Sequence, residues 1–314
     1  MVDWASFSPP NGTQTRMHCD KWFVLGAGSM GCLWAASLSH KGIIPRLIVK
    51  ASADQQRVAL KLTSGGQTQQ LAVNVVCAGT INEPIDRLIV CTKAQDTLVA
   101  LRSIEPCLND NCHILLLQNG MGSQQMVAQA FAGHTVWAAS STDGAYLSAP
   151  FEVCHAGQGE TWIGPLGGAS DTGFGELFDN FRLTVRHHPR IEQKLWEKLA
   201  INCCINGLTA LFDCRNGELL DGDTRQSWLD ALVVETDSVL QAVGMPVLSL
   251  RDRVYDVCRV TADNISSTCQ DARLGRASEL PFINGFLIDK AGALGMSVPQ
   301  HHTLMARLKE RGIR

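Results

Sequence analysis

Apolar residues recur along this chain in two rhythms, and the change between them falls near residue 188. Before it, short apolar runs end abruptly in polar or glycine-containing turns: Trp22–Leu25, Arg46–Val49, residues 86–91 and residues 113–117. Near-continuous apolar runs of this length predict strands covered on both faces, as in a parallel sheet. After the first run a helical spacing carries Leu33, Trp34, Ala36 and Leu38 to a stop at Gly42. A hairpin is expected around Gly65-Gly66. From residues 135 to 185 short strand-like pieces alternate with glycine-rich turns, with one helix near residues 176–181. The fold class this predicts is α/β.

After residue 188 the pattern is continuously helical. Helices are expected over Ile191–Phe212, residues 227–243, Leu250–Val260, residues 287–293 and residues 303–308. The first is apolar nearly all round (Leu195, Trp196, Leu199, Ala200, Ile201, Cys203, Cys204, Ile205, Leu208), so it should be largely buried. Yet Lys198, Asn202 and Asn206 stand at i, i+4 and i+8, stacked on one face. Unpaired buried polar groups cost on the order of 1–3 kcal/mol each, so the stripe needs partners. A bound polar substrate is one source. A lysine reaching solvent, with asparagines capping nearby loops, is the other. The loop at residues 213–218 and the run Asp263-Asn264-Ile265-Ser266-Ser267 add further hydrogen-bonding side chains, and the latter also reads as a helix-capping region.

Composition narrows the class. The chain has 314 residues, enough for two domains, with 45% hydrophobic and 18% charged residues and a formal charge of −3. No basic footprint points to nucleic acid, and no apolar run is long enough to span a membrane. Twelve cysteines are scattered without a C-x-x-C spacing, several inside apolar runs (Cys91, Cys203, Cys204), which suits reduced thiols in a cytoplasmic protein. In that setting the glycosylation patterns at Asn11 and Asn264 are coincidental. His187-His188 lacks matching ligand spacing, so no metal site is expected. Residues 1–20 lack a secretory apolar core and read as a disordered tail, with Met17 an alternative start. The domains expected are 21–188 and 189–314.

The candidate chemistry begins at Gly26-Ala27-Gly28-Ser29-Met30-Gly31, a G-x-G-x-x-G between strand and helix. Gly26 permits a tight turn, Gly28 lets backbone approach a pyrophosphate, and Gly31 lets helix and strand pack closely. A dinucleotide site is the reading. Lys50 follows the second strand, where an NAD site carries an acid for the ribose 2′-hydroxyl; a cation suits the 2′-phosphate of NADP, although Asp54 lies close by. Lys93 and Asn119 fall beyond the carboxyl ends of two more strands, where ligands bind in open sheets. Lys93 could face phosphate or substrate, and Asn119 could orient the nicotinamide or its ribose. Asn119-Gly120 is equally a common turn dipeptide.

The blocks GAGSMG at 26–31, CTKAQ at 91–95, QNGMG at 118–122, KLWEKLAINCCINGLTALF at 194–212, CRNGEL at 214–219, DNISS at 263–267 and ELPFINGFL at 279–287 together resemble the ketopantoate reductase family, in order and spacing, from Trp22 to the last helix. The resemblance implies a Rossmann-type dinucleotide-binding domain, an all-α C-terminal domain, and reduction of 2-dehydropantoate to (R)-pantoate with NADPH on the way to pantothenate and coenzyme A. It implies Lys198 as proton donor and Glu279 as the acidic residue beside cofactor and substrate. Asn202, Asn206, Asn216, Asn264 and Ser267 match substrate contacts. Residues 26–31, Lys93 and Asn119 match cofactor contacts, and Gly144 a backbone contact. Lys50 departs from the arginine of many relatives, and Gly207 from the proline of some, which predicts a looser helix end. Glu279 could pair with Lys198 or accept from a hydroxyl. A reductase of another branched 2-oxo acid and a non-catalytic NADP(H) sensor are the competing readings. Monomer and homodimer both remain open.

Overall fold

The protein is described by a computed structural model that covers residues 21–50, 56–167 and 173–314. The expected tail at 1–20, with Asn11 and Met17, and Asp54 lie outside the described residues. The first half runs β1 (Trp22–Leu25), α1 (Ser29–His40), β2 (Arg46–Val49), β3 (Gln56–Ser64), β4 (Gln67–Cys77), β5 (Ile85–Val90), α2 (Ala94–Arg102), β6 (Leu108–Leu116), α3 (Ser123–Ala130), β7 (Thr135–Ser141), β8 (Gly144–Ala149), β9 (Glu152–Gly157), β10 (Glu160–Pro165) and β11 (Thr184–His187). The second half is helical: α4 (Ile191–Phe212), α5 (Asp223–Ala242), α6 (Leu250–Val260), α7 (Ser267–Arg273), α8 (Asn284–Ala293) and α9 (Pro299–Glu310).

All described strands join one sheet, ordered β11-β10-β7-β6-β5-β1-β2-β4-β3-β9-β8. Its centre, β4-β2-β1-β5-β6-β7, is parallel throughout. Taken by sequence, that is third, second, first, fourth, fifth, sixth, the Rossmann order, and its strand order reverses between β1 and β5. The crevice at that reversal opens at the carboxyl ends of β1 and β5, where residues 26–31 and Lys93 emerge. One crossover departs from the pattern. Antiparallel β3, paired with β4 around the Gly65-Gly66 turn, replaces a helix between β2 and β4.

Side chains of β1 alternate into two cores, as strand geometry requires. Trp22 and Val24 join α1, Leu60, Trp137, Phe174 and Phe178 on one face. Phe23 and Leu25 belong to the other core, which continues without a break into α4, α5, α8 and α9 through Leu199, Cys203, Leu240, Leu287 and Leu304. The two halves therefore share buried apolar surface. Helix α1 is enclosed all round: Gly31 through Leu38 are buried, and α1 touches β1, β2, β3 and β4 as well as β8 and β9. Two-residue links join β7 to β8 and β9 to β10. The sheet thus curls until its far hairpin returns to the top of β7 and closes over α1.

Several details differ from the expectations. Residues 176–181 hold no α-helix but a 3₁₀ turn at Gly175–Phe178. The loosening expected at Gly207 is absent, and α4 continues unbroken to Phe212. A Cβ at Gly207 would lie 3.0 Å from Leu304 Cδ2, so the glycine brings α4 and α9 close together. His187 and His188 serve structure: their rings meet Trp137 and Trp162 edge-on, and His188 Nδ1 is 2.8 Å from the Arg190 carbonyl. Among the described residues no cluster of His, Cys, Asp or Glu could hold a metal. No described helix is long and apolar enough to cross a membrane.

Candidate active site

The polar stripe of α4 faces a cleft of about 830 Å³ between the sheet and the helices. Lys198, Asn202 and Asn206 line one wall, and Asn216, Asn264 and Ser267 reach the same space from the loops after α4 and α6 and from the start of α7. Residues scattered over seventy positions therefore line one cleft. Asn216 holds its loop against the next: its backbone N–H donates to the Asn264 carbonyl at 3.0 Å and its Nδ2 to Thr261 Oγ1 at 2.8 Å. Its buried Oδ1 has no partner among the described residues. The neighbouring Ser266 caps α7, accepting from the Cys269 N–H at 3.1 Å, which fits the capping reading of this run. Ser267 beside it is exposed to the cleft.

Lys198 does not reach out to solvent. Its ammonium donates to Asn119 Oδ1 at 2.6 Å and to the Ser141 carbonyl at 2.7 Å. Burial pushes its pKa down to about 8, against the opposing pull of the Glu279 and Asp143 carboxylates. Asn119 is oriented by its second contact, because its Nδ2 donates to Glu279 Oε2 at 3.1 Å. The amide thus stands between lysine and carboxylate, and Glu279 makes no direct ion pair with Lys198. Glu279 Oε1 also accepts from the Ala94 N–H at 3.0 Å, at the start of α2. Burial raises its pKa, while those two hydrogen bonds and the nearby lysines oppose the rise.

Two backbones interlock to hold this arrangement. Gly120, at φ +76°, sits where a Cβ would run into the Phe282 carbonyl, and Met121 donates its N–H to that oxygen at 2.8 Å. Buried Gln118 secures the same loop through Val90 and Thr92 carbonyls. Buried Gln124 adds to this, its Nε2 donating to the Gln118 and Gly120 carbonyls at 3.2 and 3.1 Å; its place was not read from the sequence, since a buried amide carries no periodic signature.

The glycine loop fits a dinucleotide on its own geometry. Gly26 adopts φ +102°, and a Cβ on Gly31 would fall on the Gly26 carbonyl. Gly28 has no such need: nothing lies within 4 Å of its would-be Cβ, and the space before it is open. It is the N-cap of α1, whose first turn has neither a side-chain cap nor an acidic residue. Unpaired N–H groups and the positive end of the helix dipole therefore face that space. Met30 lines the main cleft as well, linking the two regions.

The remaining expected residues stand elsewhere. Lys50 is 84% exposed at the end of β2, with a long 3.8 Å contact to Asp96. Lys93 does not point freely to a ligand: it pairs with Asp271 at 2.7 Å and donates to the Ala277 carbonyl at 2.6 Å, bridging the two halves. Gly144 opens β8 opposite Gly157 and does not line the cleft. The sequence reading missed Asp143, which does line the cleft and lies buried against His155.

A Rossmann-ordered sheet, a helical second half and a buried lysine facing the cleft between them define a two-domain oxidoreductase class. The family model described as Ketopantoate reductase PanE/ApbA matches residues 22–168, and its companion, Ketopantoate reductase PanE/ApbA C terminal, matches residues 190–312. This chain belongs to the ketopantoate reductase family. The 2-dehydropantoate 2-reductase of Vibrio cholerae is 32% identical to it over 290 residues, covering 91% of this chain and 96% of that protein. The PanE/ApbA family ketopantoate reductase of Ralstonia eutropha JMP134 superposes with a TM-score of 0.84 at 25% identity, over 93% and 98% of the two chains. For the probable 2-dehydropantoate 2-reductase of Bacillus subtilis the TM-score is 0.79 at 26% identity, over 93% and 99%.

Proposed function

We propose that this protein reduces 2-dehydropantoate to (R)-pantoate with NADPH, a step toward pantothenate and coenzyme A. Residues 21–188 would hold the dinucleotide and residues 189–314 the substrate, a division supported by the switch from strand to helix between His187 and Ile191. The observation that carries the reading is the Lys198 ammonium, fixed by Asn119 and Ser141 at the wall of an amide- and hydroxyl-lined cleft.

When bound, NADPH supplies the hydride that converts the ketone to an alkoxide. Backbone at Gly26, Ala27, Gly28, Ser29, Met30 and Gly31 would meet its pyrophosphate, and Asn119 the nicotinamide or its ribose. Exposed Lys50 would offer a point charge to the 2′-phosphate, less selective than a planar arginine fork. Lys93 would serve the cofactor through the bridge it makes beside Glu279. Gly144 would contribute backbone only.

Negative charge building on the carbonyl oxygen is stabilised by a nearby cation, which can then protonate it. An ammonium has three N–H groups. Two of those on Lys198 are engaged, and the third is free for the substrate oxygen. Glu279 orients Asn119 and through it the lysine. Asn202, Asn206, Asn216, Asn264 and Ser267 suit the substrate's hydroxyl and carboxylate, while Ile201, Val257, Val260 and Ile265 form an apolar wall for its branched carbon. That wall has no feature specific to one branched acid, which keeps a reductase of a related 2-oxo acid as the second reading.

The test is NADPH oxidation by the purified protein with ketopantoate, pyruvate and 2-oxoisovalerate, and with NADH in place of NADPH. Fast turnover confined to ketopantoate and NADPH is expected, falling as pH rises through about 8, where Lys198 loses its proton. Lys198→Ala should reduce kcat roughly 10²–10⁴-fold and leave NADPH binding intact. Faster turnover with 2-oxoisovalerate would favour the second reading; undiminished turnover in Lys198→Ala would remove the proton-donor assignment.

A further inference from the structure

Two residues after Ser141 the chain places Asp143 in a pocket of four donors. Oδ2 accepts from Ser141 Oγ and Thr161 Oγ1, each at 3.1 Å, and Oδ1 from His155 Nε2 at 2.9 Å and the Gly159 N–H at 3.1 Å. The Asp143 side chain is 1% exposed and that of His155 5%. A buried carboxylate is a costly way to hold a turn, because desolvation offsets most of what its hydrogen bonds gain. A turn between β7 and β8 could be held by neutral groups. The location of this pair is what distinguishes it. Ser141, which donates to Asp143 with its hydroxyl, accepts from the Lys198 ammonium with its carbonyl. Asp143 lines the cleft, and its field reaches Lys198 alongside that of Glu279.

We propose that Asp143, clamped by His155, Thr161 and Gly159, is a positioning residue for proton donation, aligning the Ser141 carbonyl with Lys198 and supplying the second negative charge that favours the ammonium. The inference rests on Lys198 being the proton donor. In the step itself one N–H bond of Lys198 breaks and an O–H bond forms on the alkoxide, leaving a neutral amine; Asp143 and His155 exchange no proton with the substrate. The two carboxylates reach the lysine by separate routes, Glu279 through the Asn119 amide and Asp143 through Ser141, whose hydroxyl meets the carboxylate and whose carbonyl meets the lysine. Burial alone would lower the lysine's affinity for its proton further than two carboxylates allow.

Charged groups around this lysine are few among the described residues. Glu279 faces it from the segment before α8, with Lys93 close to that carboxylate. Asp143 faces it from the β7–β8 link, with His155 of β9 behind. On its own helix Lys194 and Glu197 pair with each other at 3.1 Å, and Arg253 of α6 lies 3.6 Å from Glu197. Removing the Asp143 charge takes away a term that favours the protonated amine, so the alkaline limb of the rate must move to lower pH.

The experiment is the single-turnover rate of NADPH oxidation against pH, at saturating ketopantoate, for wild type and Asp143→Asn. The limb should move down by roughly one pH unit, a tenfold loss of rate above it, with NADPH affinity and the ketopantoate KM little changed. A limb that stays in place or rises, whatever the melting temperature does, overturns the inference. If Asp143→Asn does not fold, Thr161→Val, which removes one hydroxyl from the carboxylate and from Ser141, must displace the same limb downward; an unmoved limb there has the same consequence. Lys198→Ala separates the two layers. Its inactivity beside a normal Asp143→Asn limb sinks this inference alone, whereas its full activity sinks the assignment beneath it.

Discussion

Gly26, Gly28 and Gly31 share one loop, yet the chain itself requires only two of them. Gly26 needs its positive φ and Gly31 its close approach to Gly26, while Gly28 has φ −76° and open space where a Cβ would stand. Gly28→Ala should therefore keep stability within about 0.5 kcal/mol and weaken NADPH binding roughly tenfold, about 1.4 kcal/mol. Gly120→Ala should do the reverse in part, costing roughly 1–3 kcal/mol because both its φ and its contact with Phe282 exclude a side chain. Denaturant unfolding and NADPH titration of the two variants check this; equal stability losses would refute it. At this scale the sequence was legible wherever spacing carries meaning, as in the glycine loop and the Lys198, Asn202, Asn206 stripe. Asp143 and His155 have no such spacing. They meet because Gly144 pairs with Gly157 across β8 and β9, a register that no periodicity announces.

Helices long enough to repeat their pattern were readable, and α4 and α6 begin and end where apolar spacing says they should. Short α2 and α3 were not, because their buried faces include Thr97, Ser123 and Gln124, which read as surface residues. The last helix also depends on a polar contact hidden from the sequence. His301 of α9 is fully buried, with Nδ1 3.1 Å from Asn284 Nδ2 of α8 and Nε2 3.0 Å from Thr236 Oγ1 of α5. Asn284 Nδ2 also donates to the Cys203 carbonyl of α4 at 2.8 Å, which fixes the amide and makes Nδ1 an acceptor. Burial brings the His301 pKa down from 6.5 to about 4, and a proton on Nδ1 would oppose the amide. Between those values the unfolded chain binds the proton and the folded one does not. The stabilisation is therefore complete above pH 6.5 and is lost as pH falls toward 4, by about 3 kcal/mol. Urea unfolding from pH 7 to 4 should show this slope in wild type and a flatter one in His301→Gln, less stable at pH 7. Parallel slopes would exclude His301 as the cause.

For the molecule as a whole, the two rhythms of the sequence announce a sheet half followed by a helical half. They do not announce that one core runs through both, or that the sheet curls back over α1. Both facts come from pairings between distant segments, and local apolar spacing says nothing about partners. The curl has a consequence in time. Lys61 of β3 meets Glu152 of β9 across a separation of 91 positions in the chain, and only then is the outer side of α1 covered. Closing loops of that length is slow, and contacts of high sequence separation form late. In refolding followed by stopped flow, the fluorescence change that is lost on Trp34→Phe should lag the far-ultraviolet signal of the helices; simultaneous appearance would argue against late closure. During synthesis, a chain that has left the ribosome only as far as β7 carries an apolar helix still waiting for its cover, and in that interval a chaperone has a site to hold.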